Sequence, residues 1–266
     1  MNIFLKELKS YRKSLIFWSI GVFLMVASGM AKYEAYSSSG QSINDLMADL
    51  PKSMKAVMGF GVVDLSKISG YYSLLYIYLL LMATIHAAML GASIIAKEER
   101  DKTAEFLFVK PVSRNTIITA KLLAGFTNIV IFNLVTWVSL IILVGKYNST
   151  GEAVNGDIAL TMAGMFILQV LFMVIGSALA AVKRKPKTAP SLATGVLLLT
   201  YMLSIAIDLN ENIESMKYLT PFKYFDAKNV MFGGGIEAIF IIISMILIAA
   251  LLWVTFSFYK KKDLNA

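Results

Sequence analysis

Apolar residues along this chain fall into six long runs: Leu15–Ala31, Tyr71–Ala96, Leu122–Val144, Ile158–Val182, Ala189–Ile207 and Ala238–Phe258. None of them contains Asp, Glu, Lys or Arg. A helix needs about 20 such residues to cross the roughly 30 Å of hydrocarbon in a bilayer. Five runs reach or approach that length comfortably, and the first is short at 17 residues. Barrel strands alternate in polarity and span about 10 residues, so continuous runs of this length predict helices. The expected fold is therefore an all-α integral membrane domain over residues 1–266, with six transmembrane helices.

The segment before the first run has its own periodicity. Phe4, Leu8, Tyr11 and Leu15 share one helical face, while Lys6, Lys9 and Lys13 lie on another. This predicts an interfacial amphipathic helix over residues 1–14, with its cations toward lipid phosphates. A rival reading takes the basic start, the first run and the small residues Ala27 to Ala31 as a signal peptide. Between the first two runs, Leu46, Met47, Leu50, Met54, Val57 and Met58 predict another amphipathic helix. Tyr71, Tyr72, Tyr76 and Tyr78 crowd one end of the second run, as an aromatic interface belt would. Ala83, Ala87 and Gly91 recur every four residues on that run, and Gly176 and Ala180 do so on the fourth. Small residues at this spacing let helix backbones approach closely.

Charge sets the orientation. The chain carries a net +8. With six spans, both termini and the second and fourth connections share one side, and that set sums to +11 against −3 for the other. Lys and Arg collect on the cytoplasmic side, so both termini are expected there. The chain is 58% hydrophobic and 16% charged, unlike a nucleic-acid binder of the same net charge. It has no Cys and a single His, which excludes thiolate and multi-histidine metal sites. Glu98-Glu99 beside a span lacks the Arg and His residues of a glutamate-pair intramembrane protease. Gly91-Ala92-Ser93 is not a convincing nucleophile motif. Gly145-Lys146 lacks the earlier glycine of a P-loop, so no nucleotide site of that kind is expected. His86 and Gln169 are polar residues in mid-span. They are read first as hydrogen-bonded packing groups, and alternatively as contacts on a substrate path.

The most informative stretch is Lys97–Lys121, KEERDKTAEFLFVKPVSRNTIITAK. Seven charged residues lie within Lys97–Glu105, and Phe106-Leu107-Phe108-Val109 follow. Pro111 stops the first helix, and Ser113 caps the one that leads into the third span. A short helix held between two long spans acts as a lever on both.

This stretch resembles the permease subunits of type-2 ABC exporters. Glu98 or Glu99, Thr103, Glu105, Leu107, Pro111, Val112, Ser113, Arg114 and Lys121 match that family's pattern, while Lys102 stands where the family has Gly. Phe4–Trp18, the Pro221-Phe222-Lys223-Tyr224-Phe225 element and the ending Phe258–Leu264 are similar as well, so the likeness runs along nearly the whole chain. The resemblance implies a permease with no enzymatic site of its own, paired with a second copy or a related permease. Two copies of a separate ATPase, which bind ATP and Mg, would dock on its cytoplasmic face. The implied coupling helix is Glu98–Leu107, with Glu98, Glu99, Thr103, Glu105, Phe106 and Leu107 as contacts and Pro111, Ser113 and Arg114 as the turn. The implied setting is a bacterial cytoplasmic membrane, and the implied cargo is amphipathic peptides or antibiotics. Short re-entrant helices are implied for residues 208–237. A secondary multidrug carrier and a non-transporting scaffold or sensor are the alternatives.

Overall fold

The computed structural model describes residues 3–38, 50–51, 54–55, 64–101, 112–149, 151–183 and 186–261. The regular elements among them are all helical. In chain order they are α1 (Ile3–Ser38), α2 (Ile68–Arg100), α3 (Arg114–Tyr147), α4 (Asn155–Val182), α5 (Ala189–Leu209), a short α6 (Ala227–Phe232) and α7 (Ala238–Lys261). One-turn 3-10 segments include Pro186–Thr188 and Pro221–Lys223, and a longer 3-10 stretch covers Glu211–Leu219. Six helices are long and apolar enough to cross a membrane, and each contains one of the six runs.

Residues 3–14 do not form a separate helix. They continue without a break into the first span, as one helix of 36 residues. The reason is local: no Gly or Pro occurs between Ile3 and Ile20 to interrupt the ladder. At 1.5 Å per residue α1 is about 54 Å long, well beyond the hydrocarbon thickness. The periodicity of its first turns is used against protein. Phe4, Leu8, Tyr11, Leu15 and Trp18 pack on the core, and Lys6, Lys9 and Lys13 are exposed. The helix expected around Leu46–Met58 lies almost wholly outside the described residues.

α2 and α4 form the centre of the bundle. Gly91 and Gly176 explain how closely they meet. A methyl group built on Gly91 would lie 1.9 Å from the Met173 carbonyl oxygen, and one on Gly176 would lie 2.2 Å from that of Ala88. The small-residue spacing thus serves backbone-to-backbone packing, and Ser177 Oγ donates to the Gly91 carbonyl across the contact. α3 lies against both central helices and carries α1 on its side, α5 also touches both, and α7 packs mainly on α4.

The tyrosines of α2 are not a lipid-facing belt. Tyr71, Tyr72 and Tyr76 are buried, and only Tyr78 is exposed. Tyr76 donates to the Thr161 carbonyl, Tyr72 shares a hydrogen bond with the Thr161 hydroxyl, and Tyr71 donates to the Gly29 carbonyl. Tyr72 and Tyr76 stand four apart on one helical face, and that face meets α4 rather than lipid. These bonds fasten the end of the bundle opposite the charged loop.

At that same end the chain after α5 turns back into the bundle. Thr220 Oγ1 donates to the Thr200 carbonyl at 2.7 Å, a point nine residues before the end of α5 and so about 13 Å along its axis. Phe222 packs between Phe172 and Tyr201, and Phe225 sits over Gly164. Tyr224 stacks on Phe240 with ring centroids 4.9 Å apart. The segment is re-entrant in that it returns along α5, and its residues 221–225 are buried in protein, one setting in which irregular backbone is tolerated at membrane depth. Gly234 and Gly235 then turn the chain into α7 with φ of 97° and 110°, which side chains rarely adopt.

Candidate functional site

The charged loop leaves the bundle where four helix ends meet. These are the start of α1, the end of α2, the start of α3 and the end of α7. Of the residues expected to carry function, Thr103, Glu105, Phe106, Leu107 and Pro111 lie outside the described residues. Glu98 and Glu99 close α2. Ser113 caps α3, its Oγ accepting from the Thr116 N–H at 3.2 Å. Arg114 follows and donates to the Lys260 carbonyl at 2.8 Å, tying the start of α3 to the exposed end of α7.

The structure also assembles an ion network beneath the loop. Lys121, about two turns into α3, is fully buried. Its ammonium donates to Glu98 Oε2 at 2.6 Å and to the Ile94 carbonyl at 2.6 Å, both on α2. Glu7 of α1, only 2% exposed, places Oε1 3.8 Å from the same ammonium. Its other oxygen accepts from Lys97 at 3.0 Å, and Lys97 also donates to Ser10 Oγ. Two carboxylates and two ammonium groups therefore balance to zero across three helices. Such a buried pair adds little to net stability, because desolvation opposes the attraction, but removing one partner is costly. At the rim, the Arg100 guanidinium bonded to Asp101 holds that carboxyl below its usual range.

Glu7 escaped the sequence reading. Its signal was present: position 7 falls on the apolar stripe of Phe4, Leu8 and Tyr11, where an acid is out of place unless paired. Lys121 stood in the recognised pattern, but nothing in the sequence indicated that α1 would supply one of its counter-ions.

His86 and Gln169 are both buried within this chain and are not brought together with the ion network. The His86 ring stacks on Phe132 at 4.8 Å and lies 5.4 Å from Trp18, with Nδ1 unpartnered. Gln169 Oε1 accepts from Asn133 Nδ2 at 3.0 Å, linking α4 to α3, and its Nε2 is unpartnered. Among the described residues no three His, Asp or Glu gather as a metal site. At the described helix ends the charged side chains are engaged with one another. They offer a mechanical junction, in which a displacement at the end of α2 is felt by α1 and α3 together.

A search of curated proteins found no match. A family model described as ABC-2 family transporter protein matches residues 1–264. That match spans the six helices, the charged loop and the re-entrant segment, so the chain belongs to the ABC-2 transporter family, as a multi-pass permease subunit that works with an ABC ATPase.

Proposed function

We propose that this permease is the membrane half of an ATP-driven exporter in a bacterial cytoplasmic membrane, with both termini and the 97–121 loop cytoplasmic. The chain itself catalyses nothing. Two copies of the ATPase, holding ATP and Mg, dock on it, and it pairs with a second copy or a related permease. The observation that carries this reading is the ion network beneath the loop, which fastens its two flanking helices to α1 as a single mechanical unit.

In this mechanism Glu98–Leu107 is the coupling helix. Charged residues orient it on the ATPase, and Phe106 and Leu107 anchor it in an apolar recess. Closure of the ATPase displaces the loop. Glu98 and Lys97 at the end of α2 then carry the displacement to Lys121 on α3 and to Glu7 on α1, which moves the spans that bound the transport path. His86 and Gln169, polar groups with unpartnered nitrogen atoms, are the candidate contacts on that path. Amphipathic peptides or antibiotics are the cargo class that the resemblance favours.

The test is a double substitution, Phe106→Ser with Leu107→Ser, in the chain co-purified with its ATPase. Loss of co-purification, with the six-span chain still folded, is the expected result. Undiminished ATPase binding would remove the coupling assignment. Cargo movement by the isolated chain under an ion gradient, without any ATPase, would favour a secondary carrier instead.

A further inference from the structure

The first turns of α1 present two opposite faces. Inward, Glu7 meets Lys97 and Lys121 in the ion network. Outward, Lys6, Lys9, Arg12 and Lys13 are exposed, and none of them makes an ion pair among the described residues. Glu7 is the one acid between Ile3 and Tyr33, so the outward face carries cations alone.

That face does not end with the charges. At 3.6 residues per turn, Lys9, Arg12 and Lys13 fall within an arc of about 100°, and Ile16, Ile20 and Phe23 continue the same arc. These three apolar residues are exposed as well. Because α1 runs unbroken from Ile3 to Ser38, the cations and the apolar track below them are rigidly joined.

The depth of the cations follows from length. The uncharged residues 14–31 number 18 and extend about 27 Å along the axis, close to the roughly 30 Å of hydrocarbon in a bilayer. Arg12 and Lys13 therefore stand at the edge of the hydrocarbon, and Lys9 about 6 Å farther out. Headgroup phosphates occupy this layer, and the long stems of Lys and Arg carry their charges to it. A phosphate is attracted to such a face, whereas the ammonium of a zwitterionic headgroup finds no acid on it.

We propose that this face of α1 binds an anionic phospholipid, its phosphate held by Lys9, Arg12 and Lys13 and its chains along Ile16, Ile20 and Phe23. Arg12 pairs with two phosphate oxygens at once, and the lysines flank it as point charges. The site lies on the back of the turns that present Glu7 to Lys121.

Native mass spectrometry of the full chain in detergent, with phosphatidylglycerol, phosphatidylethanolamine or phosphatidylcholine added at equal concentration, reads the preference directly. The glycerol lipid is expected to be retained about tenfold more than either zwitterion. Arg12→Gln and Lys9→Gln, both at exposed positions, are each expected to lower its retention about fivefold. Lys260→Gln removes an exposed cation at the end of α7, on the same side of the bundle, and is expected to leave retention unchanged. Equal retention of the three lipids would overturn the proposal. A loss as large with Lys260→Gln as with Arg12→Gln would do the same, since the attraction would then belong to the basic side as a whole. So would displacement of the lipid by free glycerol phosphate at matching concentration. Lipid adducts on monomers but never on dimers would give this face to a second copy instead. The experiment needs neither ATPase nor cargo, so its outcome is separate from the exporter reading.

Discussion

Substituting Lys121 by Met tests the ion network most directly. The change keeps the stem that fills the space between α2 and α3 and deletes only the ammonium. Deleting one partner of a buried ion pair costs about 3–5 kcal/mol when the remaining charge stays buried. Two features of the geometry place this case at the lower end. Glu7 retains Lys97 at 3.0 Å, and the Glu98 side chain, 12% exposed, still touches solvent. The expected loss is about 3 kcal/mol. Glu98→Gln keeps the shape of the acceptor and leaves Lys121 with the Ile94 carbonyl and a carboxylate 3.8 Å away, so about 2 kcal/mol is expected. The double variant removes both members of the pair and leaves neither stranded. It is expected to lose about 3 kcal/mol in total, so that the two sites are coupled by about 2 kcal/mol. Denaturing-detergent titration in micelles, followed by the fluorescence of the three tryptophans, measures all four corners of the cycle. Additivity within about 0.5 kcal/mol would show that Glu98 and Lys121 do not act on one another, and would remove the junction on which the mechanical reading depends.

Four other outcomes follow from the packing and electrostatics. Gly91→Ala and Gly176→Ala each drive a methyl group into a carbonyl oxygen of the facing helix. Overpacking costs about 1–3 kcal/mol where neighbours yield and more against fixed backbone, so both are expected to lose folded yield in size-exclusion analysis. Gly145→Ala in α3, with nothing within 4 Å, is expected to gain about 0.5–1 kcal/mol instead. His86→Phe keeps a ring between Trp18 and Phe132 and removes an unpartnered nitrogen, so the melting temperature is expected to hold or rise, and a fall of several degrees would reveal an unseen partner for Nδ1. Asp226 has its carboxyl raised above the usual range, by burial first, with Lys223 opposing. The folded state therefore binds that proton more tightly than the unfolded one. The resulting stabilisation is fully present below the unfolded value and is lost as pH rises through the folded one. Melting curves across about pH 3–7 should show Asp226→Asn flattening that decline, and an unchanged slope would assign the pH dependence elsewhere.

The six spans were legible because they are uncharged, and each run lies inside a helix that extends past it into polar residues. The α2–α4 contact was legible too, since glycine and alanine at four-residue spacing have one common use between helices. The tyrosines of α2 show where such reading stops. A spacing of four says that Tyr72 and Tyr76 share a face, and it does not say whether that face meets lipid or Thr161. Glu7 shows a second limit. Its place on the stripe of Phe4, Leu8 and Tyr11 says that it is paired, and only the placement of α3 makes Lys121 one of its counter-ions. A cavity of about 390 Å³ beside Asp226, lined also by Asp208, Lys228 and Glu237, was the least legible feature. Its charges come from three elements joined by irregular backbone, where no periodicity links Asp208 to Lys228 or Glu237.

The crossing of α2 and α4 limits which motions are available to the permease. With carbonyl oxygens seated where methyl groups would otherwise be, the two helices cannot slide past one another without losing the fit at Gly91 and Gly176 together. Three tyrosine hydroxyls pin α2 to its neighbours at the far end, and two of those bonds run to α4. The pair therefore behaves as one stiff body with a pivot at the tyrosine end and its free arm at the charged loop. In the proposed mechanism a displacement of the loop becomes a tilt of that body, largest where Glu98 meets Lys121 and smallest where Tyr72 meets Thr161. In the proposed cycle the hinges accordingly lie at the seams with α5 and α7, since α1 is tied to α2 at both ends by Glu7 with Lys97 and by Tyr71 with the Gly29 carbonyl.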